Sequence, residues 1–149
     1  MRSVFFSILT VTWFGLMIFL SHQNGDATYV TGMGLTKVVL DLGARLGIVL
    51  EAEAVHMLLR RAAHVGLFLV FALLVMLTAS SLRVQHAVRI PVWAPALFCV
   101  LFAWADEATK ILVNGRHFSW IDVGLNLIGC AVGCAAGWII AGRGFSAVK

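Results

Sequence analysis

Asp106, Glu107, Lys110, Arg116, Asp122 and Asn126 crowd the last third of the chain, inside and between two long apolar segments. Ionisable groups are costly in hydrocarbon and usually mark function where they occur in it. Joined by Arg60, Arg61 and His64, they hold the parts of two chemistries. Guanidinium groups offer paired donors that match phosphate oxygens, so Arg116 with Arg60 or Arg61 suits an anionic headgroup, such as that of a phospholipid or polyprenyl phosphate. Glu107 and Asp122 would then orient the cations, and Asn126 would satisfy a remaining group. In the second chemistry, His64 and a carboxylate, Glu107 or Asp122, form an acid–base pair while Arg116 stabilises developing negative charge at a phosphate or ester. A third reading needs no ligand: buried pairs, Glu107 with Arg116 and Asp122 with His64, fix helix register while Asn126 bridges backbones. All three stay open on sequence alone.

Other chemistries lack their residues. There is no nucleophile elbow and no metal-binding His-Glu-x-x-His, and Ser119 has no activating neighbour that sequence identifies. His22, His56, His64 and His117 match no standard ligand spacing, so neither a metal nor another cofactor is expected. Cys99, Cys130 and Cys134 fall in apolar segments and read as small packing residues rather than a disulfide framework. A net charge of +4 would suggest nucleic acid in a soluble protein, but here the cations are scattered and no phosphate-binding glycine loop occurs. No nucleic-acid partner is expected.

The elements that must position these residues are membrane helices. The 149 residues are 61% hydrophobic and 12% charged, against about 25% charged in an ordinary soluble domain. Spanning about 30 Å of hydrocarbon takes roughly 20 apolar residues. Four stretches approach that length, at about 4–20, 62–80, 92–111 and 121–141. These predict an all-α integral membrane protein, a four-helix bundle forming a single domain over residues 1–149. The first stretch also suits a signal peptide, but its exit Ser21-His22-Gln23-Asn24-Gly25 lacks a small-x-small cleavage pattern, so an uncleaved anchor is expected. With the N-terminus inside, Arg2, Arg83, Arg89, Arg143 and Lys149 lie on the inner face with no acid among them. The other six of the 11 Lys+Arg share the outer face with all seven Asp+Glu. The density of cations favours N-in and C-in.

Between the first two spans, Leu35, Val38, Val39, Leu42, Leu46, Val49 and Leu50 recur at three- and four-residue intervals, with Lys37, Asp41 and Arg45 on another face. That pattern predicts an amphipathic helix over about 35–50, lying at the outer interface or over the bundle mouth. By depth, Arg60, Arg61, His64, Asp106, Glu107, Arg116, Asp122 and Asn126 converge on the outer end of the bundle. Gly129, Gly133 and Gly137 continue the Asp122 and Asn126 face and allow close backbone approach, within one bundle or between two copies of the chain. Trp93 and Trp120 suit an aromatic belt.

The pattern Arg60-Arg61-x-x-His64, then Asp106-Glu107, then Gly115-Arg116-x-x-Ser119-x-x-Asp122-x-x-x-Asn126-x-x-Gly129-x-x-x-Gly133 resembles the VanZ-like membrane protein family, as does Ser21-x-Gln23 after the first helix. The likeness is strong from Trp104 to Gly133 and weak from Gly25 to Leu59. Lys110 departs from it, since the family often has Gln three residues after the Glu. The resemblance implies a bacterial inner-membrane protein of the cell envelope and, through the family's namesake, an association with teicoplanin resistance. It does not name a reaction.

Overall fold

The structure is a computed structural model describing residues 1–91 and 93–146, with side chains described as far as Ala141. The described residues form five α-helices: α1 (Arg2–Ser21), α2 (Gly25–Arg45), α3 (Ala52–His86), α4 (Ala94–Thr109) and α5 (Trp120–Ser146), with a 3-10 turn over Lys110–Leu112 extending α4. No strand occurs among the described residues. Among the described residues, three helices are long and apolar enough to cross a membrane: α1, α3 and α5, the last over Trp120–Ala141. The expected helix start at Val92, the side chain of Arg143 and all of Lys149 lie outside the described residues.

α3 is the axis of the molecule. It begins ten residues before the expected 62, at Ala52, and runs for 35 residues, about 52 Å. The residues before Ala62 are polar enough to escape a hydropathy reading, yet they hold good helix formers and no Gly or Pro. Ala87, in the left-handed region at φ 51°, ends the helix. Near the chain termini, Ser3 hydrogen-bonds Gln85 and His86. Thr10 meets Thr78 at 2.9 Å, fixing α1 against α3.

α5 lies closest to α3, and the glycine stripe explains how. A Cβ on Gly129 would stand 2.4 Å from the Val65 carbonyl oxygen, and one on Gly133 2.2 Å from that of Leu69. The stripe is therefore filled by α3 within the chain. Gly133→Val should force the two helices apart, at a cost of about 1–3 kcal/mol or more. Thermal unfolding in detergent would read this as a lower melting temperature, whereas Gly124→Ala, where an added Cβ meets nothing within 4 Å, should leave it unchanged. Between α1, α3 and α4, the rings of Phe14, Phe68, Phe71 and Phe102 stack with centroids 4.8 to 6.4 Å apart. Cys99 and Cys130 are buried in the same core, and Cys134 packs against it.

The segment between α1 and α3 does form a helix, but over Gly25–Arg45 rather than 35–50. Asn24 caps it, its side chain accepting from the Ala27 amide at 2.8 Å, while Leu46 falls in the following turn and Val49 and Leu50 in the irregular link beyond it. The packing face also differs from the apolar repeat. Gly32, Thr36 and Gly43 face inward, and Leu35, Val38 and Leu42 are more than half exposed. Small residues win because the helix is pressed close: a Cβ on Gly32 would lie 2.6 Å from the His56 ring. Thr36 Oγ1 sits 3.3 Å from His56 Nδ1, and Tyr29 meets that ring edge-on. α2 and the early turns of α3 form a hairpin at the end of the bundle remote from the chain termini.

Candidate functional site: a two-faced cavity at the bundle end

A cavity of about 670 Å³ opens at that end. Its walls are apolar, with Met17 and Leu20 from α1, Leu35 from α2, and Leu59, Leu67 and Phe68 from α3. The polar lining includes Arg60, His64, Asp106, Glu107, Lys110, Arg116, His117 and Ser119.

Each polar group is placed by a local feature. Gly115, at φ +74°, turns the chain between α4 and α5. The Gly25 amide donates to the Asn114 carbonyl at 3.1 Å, and a Cβ on Gly25 would stand 2.6 Å from the Gly115 oxygen. This contact of two glycines locks the start of α2 to the loop and carries Arg116 to Thr28, whose hydroxyl accepts from Nη1 at 2.7 Å. Burial, and after it the positive charge of Arg60, push the Arg116 guanidinium below its ordinary value, yet an arginine stays protonated throughout the physiological range. It has no carboxylate partner among the described residues.

Ser119 is a helix cap. Its hydroxyl accepts from the Asp122 amide at 3.2 Å, which satisfies a first-turn donor of α5 and places the acid there. Asp122 Oδ2 accepts from Arg60 Nη2 at 2.8 Å and lies 3.5 Å from His64 Nε2. One turn on, Asn126 Oδ1 accepts from His64 Nδ1 at 2.9 Å. Across the cavity floor, Lys110 pairs with Glu107 three residues back and sits 3.9 Å from Asp106 Oδ2. Asp106, Glu107, Lys110, Asp122 and Asn126 are all buried, Glu107 and Asn126 completely. Glu107 Oε1, Asp106 Oδ1 and Asn126 Nδ2 have no hydrogen-bond partner.

Of the residues singled out in the sequence, Arg60, His64, Asp106, Glu107 and Arg116 line the cavity. Asp122 and Asn126 stand behind them, holding Arg60 and His64. Arg61 is exposed and does not line it. The expected pairing of Asp122 with His64 is present, but Glu107 pairs with Lys110 rather than Arg116, because a lysine one helical turn away reaches it first. Thr28, Tyr29 and His56 are cavity residues that the sequence did not reveal. The only local sign of Thr28 is the Asn24 cap that starts its helix, and its partner lies 88 residues away. His64, Glu107 and Asp122, from three different helices, bring potential metal-ligating atoms within 4.8 Å of one another.

No curated protein and no solved structure matches the chain. The model of the VanZ/LLP1 family does match, over residues 6–141, which takes in every helix of the bundle and every polar residue of the cavity. With its membrane-length helices, the chain is a membrane protein belonging to the VanZ/LLP1 family.

Proposed function

We propose that the cavity binds a phosphate-bearing lipid of the bacterial envelope, either an anionic phospholipid or a polyprenyl phosphate, with its headgroup at Arg116 and its chain along the apolar wall. The observation that carries this reading is the two-faced cavity itself: Met17, Leu20, Leu59 and Phe68 on one side, and on the other an arginine with no carboxylate partner. Guanidinium matches phosphate oxygens in a bidentate way, and an apolar wall beside it suits an acyl or prenyl chain. In this reading α4 is the fourth span. Its 16 residues and the three of the 3-10 turn reach about 30 Å, the thickness of the hydrocarbon. The chain then sits N-in and C-in in the inner membrane, with the cavity facing outward and α2 beside its mouth. Envelope homeostasis and glycopeptide resistance are the processes such binding would serve.

Ligand-induced stabilisation tests the reading. A ligand at a hundred times its dissociation constant stabilises the folded state by about 2.7 kcal/mol. Added anionic phospholipid or polyprenyl phosphate should therefore raise the melting temperature of the detergent-extracted protein well above any effect of phosphatidylcholine. Equal shifts with charged and zwitterionic lipids would reject a phosphate site. A second reading, acid–base chemistry on the bound phosphate or ester, draws on the way Asn126 and Asp122 hold His64 at the cavity edge. Its mark would be a Glu107→Gln protein that still binds the lipid but no longer converts it.

A further inference from the structure

We propose that His64, Glu107 and Asp122 form a binding site for a divalent transition-metal cation, of the Zn²⁺ or Mn²⁺ class, at the floor of the cavity. Three observations lead there, and none depends on which lipid fills the space above.

The first is the histidine. Asn126 Oδ1 can only accept, so His64 Nδ1 carries a proton and donates it. In the neutral ring that leaves a lone pair on Nε2, which faces Asp122 Oδ2 at 3.5 Å. Either a second proton on the ring or a shared cation satisfies these two acceptors, and Asp122 Oδ2 already takes Arg60 Nη2 at 2.8 Å. A histidine that gives its other N–H to a carbonyl is held as metal-ligating histidines usually are. The second observation is Glu107. It is wholly buried, comes from a third helix, and one of its oxygens has no partner. The three ligand atoms lie within 4.8 Å of one another, so they surround a point no more than about 2.8 Å from each. A movement of under about 1 Å brings them to the 2.0–2.2 Å typical of Zn²⁺ bonds to nitrogen and oxygen.

The third is charge. Asp106, Glu107 and Asp122 are buried acids, and Lys110 is the buried base among them. When the acids are ionised, Lys110 and the ion pair of Arg60 with Asp122 leave one negative charge unmatched, and two once Arg60 has swung into solvent, which is the charge of one divalent cation. Arg60 offsets one of them from an exposed position, its side chain being 57% accessible, and can swing away from Asp122. Lys110 already stands near Asp106 and can remain there when Glu107 turns to the metal. One imidazole with two carboxylates is a borderline set suited to Zn²⁺ or Mn²⁺.

The test uses tag-free full-length protein in detergent, stripped with a chelator and then titrated calorimetrically with Zn²⁺ alone and with Mn²⁺ alone. Co²⁺ serves as a spectroscopic probe of the ligands. The expected result is one equivalent bound, a Co²⁺ visible spectrum that changes on addition to the wild type, at least tenfold weaker binding in Glu107→Gln, and unchanged binding in Arg61→Ala. Lys110→Gln, which removes the competing cation, should bind more tightly. Should the wild type take up less than a tenth of an equivalent of either ion and leave the Co²⁺ spectrum unperturbed, the site is refuted, and a proton on His64 Nε2 is what lies against Asp122. Binding that Glu107→Gln does not weaken would overturn the proposal equally, by placing the ion elsewhere.

Discussion

Replacing Arg116 by alanine is expected to weaken binding of a phosphate-bearing lipid by roughly ten- to 150-fold, while the protein stays folded and abundant. The magnitude follows from the about 1.5–3 kcal/mol that hydrogen bonds to charged groups contribute. The separation of binding from folding follows from where Arg116 sits. It lies in the turn between α4 and α5, is half-buried, and its side chain donates to the Thr28 hydroxyl. Removing it breaks no salt bridge, because the acids nearby pair with Lys110 and Arg60. A binding titration with brominated lipid, read by tryptophan quenching, gives the affinity, and thermal unfolding of the same samples gives the stability. A variant that binds as well as the wild type would remove Arg116 from the headgroup site. One that loses stability as well as binding would return it to a structural role.

Lys110→Ala should behave in the opposite way, with a large loss of stability. The ammonium is 3% exposed and stands between Glu107, which is fully buried, and Asp106, which is nearly so. Taking one partner from a buried ion pair typically costs about 3–5 kcal/mol, because the remaining charge has neither water nor a counter-ion. At roughly 2–4 °C for each kcal/mol in a chain of this size, the melting temperature should fall by about ten degrees. Lys110→Gln keeps a donor within reach of Glu107 and should fall less. Equal, small effects from both changes would mean that the acids hold protons and that the lysine is not what keeps them buried.

Much of this site was legible because polar residues are conspicuous in an apolar chain. Helix periodicity put Asp122 and Asn126 on one face, and the bilayer put Asp106, Glu107 and His64 at one depth, so their meeting followed. The glycine repeat likewise marked the face of α5 that α3 covers. What failed was reading partners from charge alone. Glu107 took the cation one helical turn away instead of the more distant Arg116, since local geometry decides between two competent donors. Arg61 was indistinguishable in sequence from Arg60, yet one position along a helix turns a side chain by about a quarter of a turn or more, and only Arg60 reaches Asp122.

α2 was the harder case. Its leucines and valines predicted an apolar face set at the outer interface or over the bundle mouth, yet Leu35, Val38 and Leu42 are more than half exposed. The contact with α3 went instead through Gly32 and Thr36, which meet His56 and are small enough for close approach, while Gly43 lies against Ile48 and Leu50 just beyond the helix. The same logic hid Thr28. No spacing rule pairs it with Arg116, because the bond depends on Gly25 meeting Gly115 across the chain.

On the proposed function, a phosphate-bearing lipid occupies the cavity between α1, α2, α3 and α4. Native mass spectrometry of the detergent-extracted wild type and Arg116→Ala tests it most directly. A defined phosphate-bearing lipid should be retained by the wild type, about one per chain, and lost from the variant at equal protein abundance. An identical, unspecific lipid profile in both would contradict it, leaving the buried charges as ion pairs that set helix register.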